Sequence, residues 1–189
     1  MTMPSQQHLT ELDDVGLGLI ELVVSILVSA LVLIGVGSIL VNAWNTQADV
    51  TSTSQATTRG QLIGSSIEKA VRNAVEFDVT GGGTQLRVGT SLSSGLRCQG
   101  FRFATVGADG TLQWSASSSA LAGGAWPEWE SDVVQATGPG GIVIPVFEVT
   151  GAGNAVTYTF DIETEAAPVR IRGQVAMRSA ATVGSTSCW

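Results

Sequence analysis

The chain has 189 residues and a formal net charge of −7, from 9 basic and 16 acidic residues. This acidic balance argues against a nucleic-acid-binding surface, and the length favours a single folded domain. The only histidine is His8, so the domain that follows has no imidazole for a general base, a catalytic triad or a metal site. Composition therefore favours a protein that is not an enzyme and holds no cofactor.

A long apolar segment begins near the amino terminus. Residues 22–41 carry no charge, and a helix of that length rises far enough, at 1.5 Å per residue, to cross the ~30 Å hydrocarbon core of a bilayer. Glu21 lies where this segment begins. Because an unpaired carboxylate at the centre of a membrane helix costs roughly 2.5–3.5 kcal/mol, we expect Glu21 to have a partner. Trp44 follows the segment, where an indole ring prefers the membrane interface.

A glycine junction precedes the apolar segment. The residues Gly16-Leu17-Gly18-Leu19-Ile20-Glu21-Leu22-Val23-Val24 resemble the class III signal of type IV prepilins and of the pseudopilins of type II secretion. The resemblance implies that a prepilin peptidase cuts after Gly16 and that Leu17 becomes an N-methylated amino terminus. It also implies that Glu21 neutralises the terminal ammonium of a neighbouring subunit during filament assembly.

The same resemblance implies a layout, a location and a set of partners. The expected layout is a leader at 1–16, a membrane-spanning and filament-core helix at 17–41, an amphipathic helix at 42–77 and a β-rich extracytoplasmic head at 78–189. The amino terminus would be cytoplasmic and the head outside, first in the membrane and then in an extracellular pilus or pseudopilus. The implied partners are the prepilin peptidase, other pilin subunits, membrane proteins of the pilus or secretion platform, and lipid. Loops from Ser115 to Gly141 and the large head favour a minor subunit.

Two other interpretations of the amino terminus remain open. An ordinary signal peptide needs a basic start and an apolar core of only 7–15 residues, whereas this leader carries no Lys or Arg and its apolar run is longer. An uncleaved signal anchor would simply tether a cell-surface binding domain that never polymerises. Such an anchor requires neither Gly16 nor Glu21, so these two residues distinguish the alternatives.

Two glycines, Gly35 and Gly37, lie inside the apolar segment. Small residues let neighbouring helices approach closely, which favours a packing role. Glycine also weakens a helix once lipid no longer enforces its hydrogen bonds, which favours local melting on assembly, as occurs in filaments of the resembling family. The sequence gives the two roles equal support.

The helix is expected to continue beyond the membrane. Apolar residues recur at helical spacing on one face, namely Ile63, Ile67, Ala70, Val71 and Ala74. No proline interrupts residues 5–126, so a helix from about Leu17 to about Glu76 is allowed. Gly60 and Gly64 are predicted weak points, since each costs up to ~1 kcal/mol relative to alanine.

After Phe77 the pattern changes to short strands separated by glycine turns. Strands are predicted at 85–88, 101–106, 111–114, 141–144, 156–162 and 169–175, with a hairpin turn at Asp109-Gly110. In the last two segments apolar and polar residues alternate, which predicts one buried and one wet face. The expected fold is α+β, with an antiparallel sheet of four to six strands packed on the amphipathic half of the long helix.

The only two cysteines, Cys98 and Cys188, lie on the side predicted to be outside the cytoplasm. An even pair in that compartment predicts a disulfide. The bond would tie the carboxyl terminus to the head, and in the chain-entropy model it stabilises the fold by ~4–5 kcal/mol as an upper value. A metal-binding or reactive role is disfavoured, because no CxxC spacing and no histidine accompany the thiols.

Acidic and aromatic residues cluster in the head. Acidic residues form two clusters, one of Glu128, Glu130 and Asp132 and one of Asp161, Glu163 and Glu165. Each cluster suits either calcium binding or sugar hydrolysis, but a solvated face is the stronger interpretation. Trp-Pro-Glu-Trp-Glu at 126–130 is expected to be a loop anchored by its indoles. If Trp126, Trp129 and Trp189 were exposed together, they would form a binding patch for carbohydrate or a neighbouring subunit.

Overall fold

The protein is described by a computed structural model that covers residues 18–92, 95–106, 109–178 and 188–189. Within these residues one long helix precedes nine strands, which confirms the α+β expectation. The elements are α1 (Leu19–Arg72), β1 (Ala74–Thr80), β2 (Gln85–Leu92), β3 (Gly95–Val106), β4 (Asp109–Ser117), β5 (Glu128–Ser131), β6 (Val133–Gln135), β7 (Phe147–Thr150), β8 (Ala155–Ile162) and β9 (Val169–Ala176). The chain forms two compact units, Met1–Thr46 and Gln47–Trp189. The described part of the first unit is helical.

The second unit contains two antiparallel sheets. The first sheet is a meander in the order β1-β2-β3-β4-β5. In the second sheet β8 is central, because β6 and β7 pair with successive parts of one of its edges and β9 pairs with the other. The sequence predicted one sheet of four to six strands. The division into two sheets follows from β5 and β6, which are short and pair with different strands on either side of Asp132.

The carboxyl-terminal half of α1 and both sheets share one apolar core. The buried residues of the helix recur every three or four positions, as Ala56, Gly60, Ile63, Gly64, Ile67, Ala70 and Val71. They pack with the apolar face of the first sheet, where Leu86 lies opposite Phe101 and Phe103 lies opposite Leu112. The predicted amphipathic face is therefore confirmed for Ile63, Ile67, Ala70 and Val71.

The helix ends earlier than the sequence predicted. It stops at Arg72 rather than near Glu76, and Ala74 is buried in β1 rather than on a helical face. The predicted boundary of the amphipathic helix at residue 77 is likewise wrong, since β1 begins at Ala74. Pairing of β1 with β2 supplies the backbone hydrogen bonds that a longer helix would have made.

Gly60 and Gly64 are points of close approach between α1 and the second sheet. A Cβ added at Gly60 would lie 2.4 Å from side-chain atoms of Ile171, and one added at Gly64 would lie 2.7 Å from the hydroxyl oxygen of Tyr158. Glycine lowers the helix propensity at these two positions, but its missing side chain lets residues of β8 and β9 contact the helix backbone. The two predicted weak points thus carry the helix–sheet contact.

The strand predictions are confirmed with two exceptions. Residues 141–144 do not form a strand, because a 3₁₀ turn at Pro139–Gly141 reverses the chain and only Thr137 and Val143 form an isolated bridge. β8 is buried on both faces instead of alternating, because the segment after β6 lies beside it and Arg170 links Asp161 to the carbonyl oxygen of Thr137. β3 pairs with β4 as a hairpin, but the predicted turn position is wrong, because Asp109 and Gly110 belong to β4 and pair with Val106 and Thr105. Residues 107–108 lie outside the described residues.

Candidate functional site

The apolar segment forms the amino-terminal part of α1. The side chains of α1 from Leu19 to Val50 are all exposed, and an 18-residue window of the helix has a mean hydropathy of 2.8. The helix is therefore long and apolar enough to span a membrane. Trp44 lies at 63% exposure beyond this segment. A helix this apolar that none of the described residues covers needs lipid or other helices as its surroundings.

Glu21 lies in the first turn of α1. Its backbone N–H donates to the carbonyl oxygen of Gly18 at 2.9 Å, which begins the helix. Its side chain makes no ion pair with any residue that the structure describes. Gly16 and Leu17, the predicted cleavage and methylation residues, lie outside the described residues.

Gly35 and Gly37 are both helical and open to the surroundings. No atom lies within 4 Å of a Cβ added at either residue. The Ser38 hydroxyl donates to the carbonyl oxygen of Gly35 at 2.8 Å, one turn back along the helix. Both predicted roles, packing and melting, involve neighbours from other molecules, so the two alternatives stay open.

Cys98 and Cys188 form the predicted disulfide. Their Cα atoms are 5.3 Å apart, the two residues are separated by 90 positions, and both are fully buried. The backbone N–H of Leu121 also donates to the carbonyl oxygen of Cys188 at 2.9 Å. The carboxyl terminus is thus fixed to β3 and to the loop after β4.

Three of the six predicted carboxylates, Glu130, Asp132 and Asp161, contact arginines. Arg59 contacts Glu130 through its Nε atom, donates from Nη2 to the carbonyl oxygen of Ser131 at 2.7 Å, and lies 3.6 Å from Asp132. Arg170 binds Asp161 through two hydrogen bonds of 2.9 Å. No group of three or more His, Cys, Asp or Glu side chains in the described residues is arranged to hold a metal ion. These acidic residues link elements of the head.

The indoles do not form the patch that the sequence suggested. Trp126 is buried, its Nε1–H donates to the carbonyl oxygen of Ala122 at 2.9 Å, and its ring covers Gly100. The expected loop at 126–130 is only partly a loop, since Glu128–Ser131 forms β5 on the edge of β4. Trp129 instead lies beside Trp114, with ring centroids 6.5 Å apart.

Trp114 and Trp129 line a cleft between α1 and the first sheet. Its volume is about 460 Å³, within the range in which proteins bind small molecules. One wall is a helical stripe and the other comes from β2, β3, β4 and β5. The helix contributes Ser66, Lys69 and Ala70, and Asn73 follows directly after the helix. The sheet contributes Thr90, Arg97, Gln99, Phe101, Trp114 and Trp129.

The cleft forms where the core-facing side of the sheet turns polar. Along β3 the residues on this face are Phe103, Phe101, Gln99 and Arg97, which change from apolar to charged toward one end of the strand. Trp114 lies opposite Phe101 and is 36% exposed, so its ring is open to the cleft. Sequence analysis missed this cleft. The sequence signal for the cleft was the order Arg97, Gln99, Phe101, Phe103 at alternate positions of one strand, because it places polar and aromatic side chains on the same face.

A scan against protein-family models, a search of curated proteins and a search of solved structures found no match to this chain.

Proposed function

We propose that this protein is a structural subunit, a minor pilin or pseudopilin, of a type IV pilus-like filament. It would be made as a precursor with its amino terminus in the cytoplasm, cut by a prepilin peptidase after Gly16, and methylated at Leu17. The processed chain would then polymerise through the amino-terminal part of α1, with the head outside the cell. The head acts as a structural and binding module rather than as a catalyst.

The observation that carries this proposal is the position of Glu21. It is a carboxylate in the first turn of a helix whose next acidic residue is Asp49, and every side chain between them is exposed. An isolated carboxylate at the edge of lipid is costly, and a partner of opposite charge reduces that cost. The amino-terminal ammonium created by cleavage before Leu17 is such a partner when it belongs to the adjacent subunit.

The pairing would also set the register of the filament. An ammonium at residue 17 of one subunit and a carboxylate at residue 21 of the next meet only when the two helices are displaced along their axes by a fixed amount. A charge pair in a low-dielectric environment is favoured over either unpaired charge. The filament would therefore be favoured over subunits dispersed in the membrane.

The head suits this role because the second half of α1 is packed into it. Residues from Ala56 to Val71 share the core with both sheets, so a force applied along the helix is transmitted to the head. The Cys98–Cys188 disulfide adds a covalent closure of the carboxyl terminus. The other partners of this assembly would be pilin subunits and membrane proteins of the pilus or secretion platform.

The test is incorporation of Glu21 variants into filaments. We expect Glu21→Ala and Glu21→Gln to insert in the membrane at the normal level but to be lost from sheared filaments. Asp49→Asn is the matched control, because Asp49 is an exposed acidic residue of the same helix outside the apolar segment. Normal incorporation of both Glu21 variants would refute the pairing role.

A second candidate function is a signal-anchored cell-surface binding domain that does not polymerise. The cleft beside Trp114 favours it, because a cleft in the head requires no neighbouring subunit. This candidate predicts that the protein remains in the membrane fraction, with its leader attached, and is absent from sheared filaments. The two candidates therefore differ in processing as well as in location.

A further inference from the structure

The ionisable side chains that line the cleft of Trp114 and Trp129 are positive, whereas the net charge of the chain is negative. The chain carries a net charge of −7, yet the two ionisable residues that line this cleft are Lys69 and Arg97. Neither side chain forms an ion pair or a side-chain hydrogen bond with the rest of the described chain. Two unpaired cations at one apolar cleft favour an anionic occupant.

The uncharged lining narrows the chemistry of that occupant. The Trp114 indole offers a partly exposed flat ring, and the aromatic side of the cleft continues through Trp129 to the buried Phe101. Around these rings lie two amides and two hydroxyls, from Asn73, Gln99, Ser66 and Thr90. A pyranose ring has one face of C–H groups that stacks on an indole and a rim of hydroxyls that bonds to such groups. The Asn73 amide and the Thr90 hydroxyl already donate to backbone carbonyl oxygens, of Lys69 and Arg97. A planar aromatic acid would still leave the Gln99 amide and the Ser66 hydroxyl without partners.

We propose that this cleft binds an acidic sugar, a pyranose that carries a carboxylate, within a surface polysaccharide or oligosaccharide. The sugar ring lies against Trp114, and Lys69 and Arg97 hold the carboxylate from the helix side and the sheet side. Charge-assisted hydrogen bonds of this kind are stronger than neutral ones and give the site its preference for the acid. The inference does not depend on polymerisation, since the cleft lies wholly within the second unit.

The helix stripe explains how both cations reach one cleft. Ser66 and Lys69 lie three residues apart on α1, next to the buried stripe of Ile63, Ile67 and Ala70. Arg97 lies directly opposite Thr90 across the first sheet. The Thr90 hydroxyl donates to the carbonyl oxygen of Arg97 at 3.1 Å, which fixes the backbone that carries the guanidinium.

The experiment uses the full-length protein in detergent micelles, with trigalacturonate as the probe and galactotriose as its neutral counterpart. Calorimetry measures affinity, and tryptophan fluorescence reports ligand at Trp114 and Trp129. We expect saturable binding of trigalacturonate that weakens with added salt, and at least about tenfold weaker binding of galactotriose. Equal affinity for the two trisaccharides, or no saturable binding of trigalacturonate, would overturn the proposal.

Variants locate the binding. Arg97→Gln and Lys69→Gln should each weaken trigalacturonate binding about tenfold, and Trp114→Leu should weaken it and remove the fluorescence change. The matched controls are Arg172→Gln, an exposed cation of β9, and Trp44→Leu, an exposed indole outside the cleft; both should bind as the unchanged protein does. If Trp114→Leu lowers the melting temperature, the two surface cation variants decide the result. Normal binding by both cation variants would overturn the proposal.

Two competitors separate the sugar from other anions. Acetate should not displace trigalacturonate, because it has a carboxylate but no ring for Trp114. An oligothymidylate should not displace it either, because a thymine ring lacks the rim of hydroxyls that the polar lining of the cleft would bond. Efficient displacement by acetate would show that the site binds any carboxylate. Tighter binding of the oligothymidylate would show that the site is a nucleic-acid-binding surface. Either result would refute an acidic-sugar site.

Discussion

The hydroxyl of Tyr158 donates a 2.8 Å hydrogen bond to the carboxylate of Glu68, across the contact between β8 and α1. The tyrosine ring reaches the helix because Gly64 and Gly173 leave room for it on two sides. A Cβ added at Gly173 would lie 2.2 Å from the same hydroxyl oxygen. One polar bond and two missing side chains therefore determine how closely this strand and this helix approach.

Gly64→Ala is expected to destabilise the head, although alanine is the better helix former. The added methyl group would lie 2.7 Å from a hydroxyl that its hydrogen bond to Glu68 holds in place. Overpacking costs typically 1–3 kcal/mol, against a propensity gain of at most ~1 kcal/mol, so we expect a net loss of about 1–2 kcal/mol in the free energy of unfolding.

Thermal or denaturant unfolding of the full chain in detergent measures this effect. Gly37→Ala is the matched control, since it is a helical glycine with no atom within 4 Å of the added Cβ. The control should leave unfolding of the head unchanged. An increase in stability for Gly64→Ala would show that helix propensity dominates and that the close approach is unimportant.

Tyr158 is expected to ionise at a higher pH in the folded protein than in the unfolded protein. Burial and then the hydrogen bond to Glu68 raise the pKa of Tyr158 well above its ordinary value of 10.0. A raised pKa in the folded state gives stability that is complete below pH 10 and is lost as the pH rises through the folded value. The head should therefore be progressively destabilised above pH 10.

Near-ultraviolet absorbance of tyrosinate tests this directly, because Tyr158 is the only tyrosine in the chain. In denaturant the ionisation midpoint should lie close to 10, and in the folded protein tyrosinate should appear only at higher pH or on unfolding. Tyr158→Phe should show a weaker loss of stability over the same alkaline range. Equal midpoints in folded and denatured protein would contradict the buried, hydrogen-bonded hydroxyl.

Loss of the disulfide is expected to destabilise the head strongly. The bond closes a segment of 90 residues that includes seven of the nine described strands in whole or in part. Removing such a bond typically costs 2–5 kcal/mol. Cys98→Ser with Cys188→Ser should lower the melting temperature, and reductant should lower that of the unchanged protein but not that of the double variant. Two free thiols in native protein would contradict the pairing.

Arg59 is expected to hold β5 against α1. Its guanidinium contacts Glu130, Asp132 and the carbonyl oxygen of Ser131 from a partly exposed position. Because solvent screens such pairs, we expect Arg59→Gln to cost about 1 kcal/mol, with a smaller cost at high salt. Arg172→Gln provides a control on an exposed arginine of β9. An equal effect of both substitutions would show that the Arg59 contacts are not specific.

Local periodicity predicted much of this fold. The buried stripe of Ile63, Ile67 and Ala70 and the alternation in β9 each follow from a regular pattern, and the disulfide follows from the count of cysteines. The end of α1 was mispredicted, since Ala74 also fits the helical stripe. Its strand conformation depends on pairing with Thr90.

The cleft could not be predicted because it depends on long-range contacts. Lys69 and Arg97 come from different elements, and only the packing of α1 on the first sheet brings them to one cleft. The sequence grouped Trp126, Trp129 and Trp189 as a patch if they were exposed together. The partner of Trp129 in the structure is Trp114, which belongs to the adjacent strand. The strand break at 141–144 also depends on context, because the 3₁₀ turn there needs Gly140 at φ 75°.

The central claim is that the chain is processed as a prepilin. Mass spectrometry of the amino-terminal peptide, taken from protein in its native cells, tests this claim most directly. We expect a peptide that begins at Leu17 and is heavier by one methyl group. A peptide that retains the leader, or one that begins beyond Val41, would contradict the account and make the protein a tethered or secreted domain.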